Sequence, residues 1–164
     1  MASPLFYTNQ GDYTLNIEPK QISNSILDIL TSKLKQELEG KCSIIGYIKP
    51  GSVKIIHKSL GTGNLTHFNG YITYHIKYTA DICKPHESMI IKSKVINSNM
   101  MGILCTTADL EPSPLNILLP RQHHIDNEEF NKLKNNDVIL VSVTGIRYEH
   151  SDEQISVIGK LLED

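Results

Sequence analysis

The sequence contains no tryptophan, three phenylalanines and only two arginines, Arg121 and Arg147. Proteins that read base edges in duplex DNA rely on arginine forks, and sequence-selective single-strand readers rely on several aromatic platforms. Both classes are disfavoured, the second because residues 83–164, which read as a barrel below, hold only Phe130 and Tyr148 as aromatics. Cysteine is scarce as well: Cys42, Cys83 and Cys105 are odd in number, far apart and without a Cys-x-x-Cys pair. That fits neither a disulfide framework nor a zinc site, and points to a reducing, intracellular compartment. No stretch approaches the roughly 18 consecutive apolar residues of a membrane span, so no membrane is expected among its partners. The opening Met-Ala-Ser-Pro-Leu-Phe-Tyr lacks the basic and apolar regions of a signal peptide. Asn64-Leu65-Thr66 matches the glycosylation pattern but, without a secretory route, is read as a chance match.

What is present suits a folded protein of one domain or two small ones. Apolar residues make up 40% of the 164, and mean hydropathy is −0.20. Charge is uneven. Residues 41–94 carry eight lysines against two acidic residues, a net of +6, whereas residues 95–164 carry five basic and eleven acidic residues, a net of −6. A basic middle beside an acidic end suggests different faces for different partners, with ordinary solvated surface as the plainer explanation. Ile, Lys and Asn together form nearly a third of the chain; all have A/T-rich codons, which suggests an A/T-rich genome.

Hydrophobic spacing then places the elements. Residues 13–18 alternate as a strand that Pro19 breaks. From Gln21 to Glu39, apolar residues at 22, 26, 30, 34 and 38 repeat as an amphipathic helix, and Gly40 sits where a left-handed cap belongs. Ser43–Lys49, Val53–Ser59 and Asn69–Cys83 read as strands, with a Pro50-Gly51 turn and a flexible Gly61–Asn64 loop between them. The sixteen residues 70–85 are the most telling: Ile72, Tyr74, Ile76 and Tyr78 share one face of a strand and Tyr71, Thr73, His75, Lys77 and Thr79 the other, until Pro85 ends the ladder. Met89–Asn97, Gly102–Thr107, Leu115–Pro120, Val138–Tyr148 and Gln154–Leu162 read as five short strands, with a polar, acidic segment at 121–137. The pattern predicts an α+β layer, an antiparallel sheet with one main helix, over residues 1–82. An all-β oligonucleotide-binding barrel follows over 83–164.

No set of residues reads as a catalytic site. The adjacent His123 and His124 would point to opposite faces of a strand, Gly61-Thr62-Gly63 lacks the Gly-Lys-Ser/Thr of a phosphate loop, and Ser113 between two prolines has no nucleophile-elbow context. Neither a catalytic residue, nor a metal, nor a cofactor is expected. Single-strand binding is better supported. Lys84, Lys92 and Lys94 lie on or beside the first barrel strand, Arg121, His123 and His124 follow the third, and Arg147 and Tyr148 end the fourth.

The stretch 70–85 closely resembles the joint between the two domains of the stalk subunit of multisubunit RNA polymerases, the family of the seventh subunit of eukaryotic polymerase II and its archaeal counterpart. Four further blocks fall in that family's order: Glu37-Leu38-Glu39-Gly40-Lys41-Cys42 with Gly46-Tyr47-Ile48, then Val95–Ile103, Val143–Arg147 and Ile158–Asp164. The resemblance implies a non-catalytic stalk subunit whose N-terminal tip domain docks to the polymerase core near the clamp. It also implies an S1-like barrel that contacts nascent single-stranded RNA, and a smaller, fourth-subunit-like stalk partner. Tyr47, Pro50, Gly51, Gly61, Gly63 and Asn64 are then candidates for exposed core-docking residues. His86-Glu87-Ser88 stands where the family carries Pro, a basic or aromatic residue, and Gly. This and a short, acidic 121–137 segment look like a divergent member from a large DNA virus. Such a member is expected in the host cytoplasm or the virion, a cellular one in the nucleus. Two rivals stay open: a free-standing RNA-binding or translation factor with the same barrel, and a small hydrolase using His123 or His124.

Overall fold

A computed structural model describes residues 2–63 and 69–162. Its contacts divide the chain into two compact units. One comprises Tyr7–Gly40 and Ile48–Ile82; the other comprises Met1–Phe6, Lys41–Tyr47 and Cys83–Asp164. The chain therefore visits the second unit briefly at Lys41–Tyr47 before settling in it from Cys83.

The first unit is built on β6 (Ile72–Cys83), a twelve-residue strand rich in β-branched and aromatic residues. β1 (Phe6–Ile17) borders one edge. Along the other lie β5 (Thr62–Gly63), opposite Ile72 and Thr73, and β4 (Lys54–Lys58), opposite Ile76–Thr79. The Lys49 amide then donates to the Asp81 carbonyl at 2.9 Å, just past β3 (Gly46–Ile48). Alternation decides the faces. Tyr74, Ile76, Tyr78, Ala80 and Ile82 are buried with Leu15 and Ile17, while His75 and Lys77 are exposed. Leu30, Leu34 and Leu38 of helix α1 (Ile26–Leu38) complete the unit's buried set.

The helix is shorter than the sequence pattern suggests. Pro19–Gln21 forms a separate 3-10 turn, and the Ser23 and Ser25 hydroxyls bond to each other at 3.0 Å instead of supporting a helical turn. Ile22, expected on the apolar stripe, is 40% exposed. The C-terminal end follows expectation: Gly40 adopts φ +71°, a left-handed conformation that costs glycine nothing. The expected strand at 43–49 is broken. β2 (Cys42–Ser43) and β3 form a tight hairpin, Cys42 opposite Tyr47 and Ser43 opposite Gly46, with Ile44 86% exposed in the turn. Thr62 and Gly63 belong to a short strand, not to a free loop, and Asn64 lies outside the described residues.

The second unit holds a closed barrel of β7 (Ile90–Ser98), β8 (Gly102–Thr107), β9 (Leu115–Pro120), β10 (Val138–Arg147) and β11 (Ile155–Leu161). Counted along the barrel, the strands run 1-2-3-5-4 and close on 1. The 3–5 contact, Leu115–Leu118 against Ile155–Ile158, is parallel, and the other four pairings are antiparallel. This closed five-stranded arrangement is consistent with an oligonucleotide-binding fold. Ile91, Val95, Ile103, Cys105, Leu115, Ile117, Leu119, Val141, Val143, Ile155 and Val157 alternate inward to fill it. The strands pass closely at Gly102, where a Cβ would stand 2.2 Å from the Leu119 carbonyl oxygen. Between β9 and β10 a 3-10 turn (Arg121–His123) leads into α2 (Glu128–Lys132), whose Phe130 is 1% exposed.

Candidate nucleic-acid interface on the barrel

Barrels of this kind engage single strands across their second and third strands and the 1–2 and 4–5 loops, here β8, β9 and the turns at 99–101 and 148–154. The outward residues of β8 and β9 alternate with the core set. Leu104, Asn116 and Leu118 join Ser156 and Ile158 of β11 and Gly145, Ile146 and Arg147 of β10 around a concavity of about 510 Å³. Its floor is aliphatic and Arg147 stands at its side. The Arg147 guanidinium lies 3.7 Å from Glu149, both side chains being largely exposed, so this pair is solvent-screened and leaves the cation accessible.

The seven residues expected to face RNA do not converge on one surface. Arg147 alone among them lines the β8–β9 concavity. Lys92 is held by Asp109 at 3.3 Å. Lys94, half-buried, lines a separate concavity of about 420 Å³ with Glu111, Asn135, Asn136 and Gln154. Lys84 is exposed beyond the end of β6. Arg121 is a brace: it donates to the Asn99 carbonyl at 3.1 Å and to Asn131 Oδ1 at 3.3 Å, and lies 5.8 Å from the Phe130 ring centre. Those bonds tie the 1–2 turn to the segment after β9. Asn99 further accepts the amides of Met101 and Gly102, so the turn is stiff while Met100 and Met101 are 93% and 78% exposed at its tip. Tyr148 is half-buried against the core, with its hydroxyl 3.5 Å from the Ile44 carbonyl.

His123 is exposed on the 3-10 turn, but His124 is 5% exposed and is part of the framework. Its Nε2 accepts the Leu161 amide at 2.9 Å. Nδ1 must then carry the proton that it donates to the Pro120 carbonyl at 2.8 Å. Its ring stacks on Phe130 with centroids 4.4 Å apart and an interplanar angle of 8°. Both nitrogens are committed, which removes His124 as a base for a hydrolase. With Phe130 buried and Tyr148 partly so, bases on this barrel would meet Leu104, Leu118, Ile146 and Ile158 in place of aromatic rings. Sequence reading missed these four. The available signal was the apolar residues at outward positions 104, 118 and 158, interleaved with the core set.

The docking candidates also separate. Pro50 and Gly51 form an exposed turn, and Gly61 and Gly63 are exposed. A Cβ at Gly61 would meet Ile72 and Tyr74 at 2.5 and 2.9 Å, so that glycine serves packing within its own unit. Tyr47 is not exposed. It is 2% accessible within the barrel unit's core, where burial, with the Cys42 and Cys83 thiols as lesser causes, raises its phenol pKa. A side chain enclosed there cannot dock a partner, and the expectation for Tyr47 is corrected. All three thiols are buried, and burial foremost pushes Cys42 up to about 11 and Cys83 and Cys105 up to about 12. Among the described residues no group of three His, Cys, Asp or Glu side chains is placed to hold a metal ion, and no helix is long and apolar enough to cross a membrane.

No protein-family model matches the chain. Curated proteins do. Subunit 7 of DNA-directed RNA polymerase II from Dictyostelium discoideum is 24% identical over 172 residues, covering 98% of this chain and 96% of the relative. The soybean (Glycine max) subunit of the same name is 21% identical, with 98% and 94% covered. A DNA-directed RNA polymerase subunit of Acanthamoeba polyphaga mimivirus is 22% identical, covering 97% of this chain and 83% of its own. The resemblance read from the sequence is thus carried end to end by polymerase II subunits and by a viral polymerase subunit, at the low identity that suits a divergent viral member.

Proposed function

We propose that this chain is a non-catalytic stalk subunit of a DNA-directed RNA polymerase. The observation that carries the reading is the near-complete coverage of both this chain and its polymerase II relatives, coupled to a closed five-stranded barrel in the C-terminal half. Coverage matters more than identity here, because a free-standing RNA-binding factor with a similar barrel would match over the barrel alone. In this reading residues 1–82, dominated by the α1-covered sheet, act as a tip domain that docks to the polymerase core, through the Pro50-Gly51 turn and the Gly61–Asn64 segment. Residues 83–164 contact nascent single-stranded RNA, with the β8–β9 face and Arg147 as the principal surface and Lys84, Lys92, Lys94, Arg121, His123 and Tyr148 peripheral to it. A smaller stalk partner completes the assembly where one is encoded. A viral member works in the host cytoplasm or the virion, a cellular one in the nucleus.

Affinity purification of the tagged chain from its native cell or infected host tests the reading. The catalytic polymerase subunits should be recovered in near-stoichiometric amount, and ultraviolet crosslinking in the same preparation should join transcript RNA to the barrel. Recovery of ribosomal or other RNA-bound proteins without polymerase would sink it.

A further inference from the structure

The lysine-rich middle of the sequence is not explained by the barrel. Four of its lysines, at 49, 54, 58 and 77, belong to the helix-bearing unit. Lys54 and Lys77 project from the sheet face opposite the buried one, where they are exposed. Toward β1 this face is self-satisfied: Thr8 donates to Asp81 at 2.8 Å, Thr73 donates to Asn16 at 2.8 Å, and Thr14 bonds His75 Nδ1 at 3.2 Å. Toward β4 it is not. His57 stands directly opposite Lys77 in the ladder and Lys54 opposite Thr79, and among the described residues none of the side chains of Lys54, His57 and Lys77 has a partner. The Lys77 ammonium and the His57 ring thus stand side by side across the ladder as adjacent nitrogen groups open to an incoming anion. They border open concavities of about 540 Å³, shared by His57, His75, Lys77 and Asp12, and about 410 Å³, shared by Lys49, Lys54 and Asp81.

We propose that this uncovered face, centred on Lys54, His57 and Lys77, is the docking site for an acidic segment of a partner protein. Resting on the reading of this unit as the core-docking module, the inference names the face and the charge of what it meets. Protein is favoured over nucleic acid by what the face lacks. Both arginines lie in the barrel unit, and Tyr13 and Tyr78 belong to the buried face. Tyr71, the aromatic on the open side, is tied to Glu18 at 3.4 Å. Single-strand binding draws much of its affinity from stacking, for which the described residues of this face offer no free aromatic ring, and Asp12 and Asp81 would repel a continuous phosphate backbone while leaving gaps for spaced carboxylates.

Fluorescein-labelled poly-L-glutamate and a labelled single-stranded RNA decamer are titrated against the full chain, against Lys54→Glu/Lys77→Glu, and against Arg147→Ala. Near-ultraviolet circular dichroism checks that each variant is folded. The polyglutamate should bind the parent chain, weaken as salt rises, bind at least tenfold more weakly to the double variant, and bind Arg147→Ala unchanged. No polyglutamate binding by the parent chain, equal binding by the folded double variant, or loss of RNA in place of peptide in that variant overturns the proposal. The peptide titration needs no polymerase. Failure of the parent chain to recover catalytic subunits therefore counts against the stalk reading alone, and the polyglutamate result still decides this one.

Discussion

The Leu161 amide donates to His124 Nε2 at 2.9 Å across 37 residues of sequence. The final barrel strand is thereby fastened to the turn after β9, beyond the four residue pairs of its parallel ladder with that strand. A phenylalanine at 124 would keep the stack on Phe130 and lose both hydrogen bonds, orphaning the Leu161 donor. His124→Phe should cost about 1–3 kcal/mol, the usual penalty for an unsatisfied buried group. Urea denaturation gives the cost, and the Leu161 amide should exchange hydrogen faster. An unchanged midpoint would show that the fastening contributes nothing.

Leu30 and Leu34 are fully buried at the centre of the α1 face. Truncation of either to alanine should destabilise the helix-bearing unit by about 2–5 kcal/mol. In a unit this small that is most of the available stability. Polymerase recovery should fall while the purified chain still binds a single-stranded RNA decamer through its barrel. The reverse pattern would assign the two roles to the wrong units.

Gly102 leaves no room for a methyl group against the Leu119 carbonyl, which is backbone and cannot turn aside. Gly102→Ala should therefore push β8 off β9 and lower the barrel's melting temperature sharply. Gly63→Ala, at a position where a Cβ meets nothing within 4 Å, should leave it almost unmoved. Similar melting of the two variants would contradict the close approach.

How much of this was readable from residues alone depended on whether a pattern was periodic or tertiary. The bounds of β8 and β9 follow directly from short apolar runs fenced by Gly102 and Pro120. The middle of α1 follows from the four-residue spacing of Leu30, Leu34 and Leu38. The first turn of that helix did not, because Ser23 and Ser25 offer each other hydroxyls and the spacing of Ile22 carries no sign of that competition. Tyr47 looked like surface and is core, since the cluster that encloses it is built mostly from Cys83 onward, more than thirty residues further along the chain. Lys92 looked like a free cation, and nothing in the spacing announced Asp109 as its partner. His124 gave no local signal either, its two bonds being fixed only when β11 arrives.

The buried thiols set an alkaline limit. In the unfolded chain a cysteine ionises near pH 8.5, whereas Cys42, Cys83 and Cys105 in the fold hold their protons to about 11, 12 and 12. The folded state then binds more protons than the unfolded one between those values, so stability is full below about pH 8.5 and declines as pH rises toward 12. Denaturation midpoints at pH 7, 9 and 10.5 should fall in that order. A thiol reagent at pH 8 should label none of the three until denaturant is added, and rapid labelling of the native chain would contradict their burial.

RNA binding should depend unequally on the basic side chains. Arg147→Ala should weaken binding of a single-stranded RNA decamer and reduce the salt slope by about 0.7, one phosphate contact's worth. Lys92→Ala should change it less, because Lys92 stands on β7, outside the β8–β9 concavity. Fluorescence anisotropy at several salt concentrations separates the two. Equal losses would mean that β7, and not the β8–β9 face, meets the RNA.

The brief excursion of Lys41–Tyr47 into the barrel unit also governs how the gene can be divided. Cys42 and Tyr47 are among the enclosed side chains of that unit, and the Cys42 amide bonds the Asp152 carbonyl at 2.7 Å. A fragment beginning at Cys83 would have every barrel strand and still lack those two side chains, leaving a hole where a tyrosine ring belongs. The barrel half is therefore not a portable module, and a cut at the apparent boundary would leave it with an incomplete core.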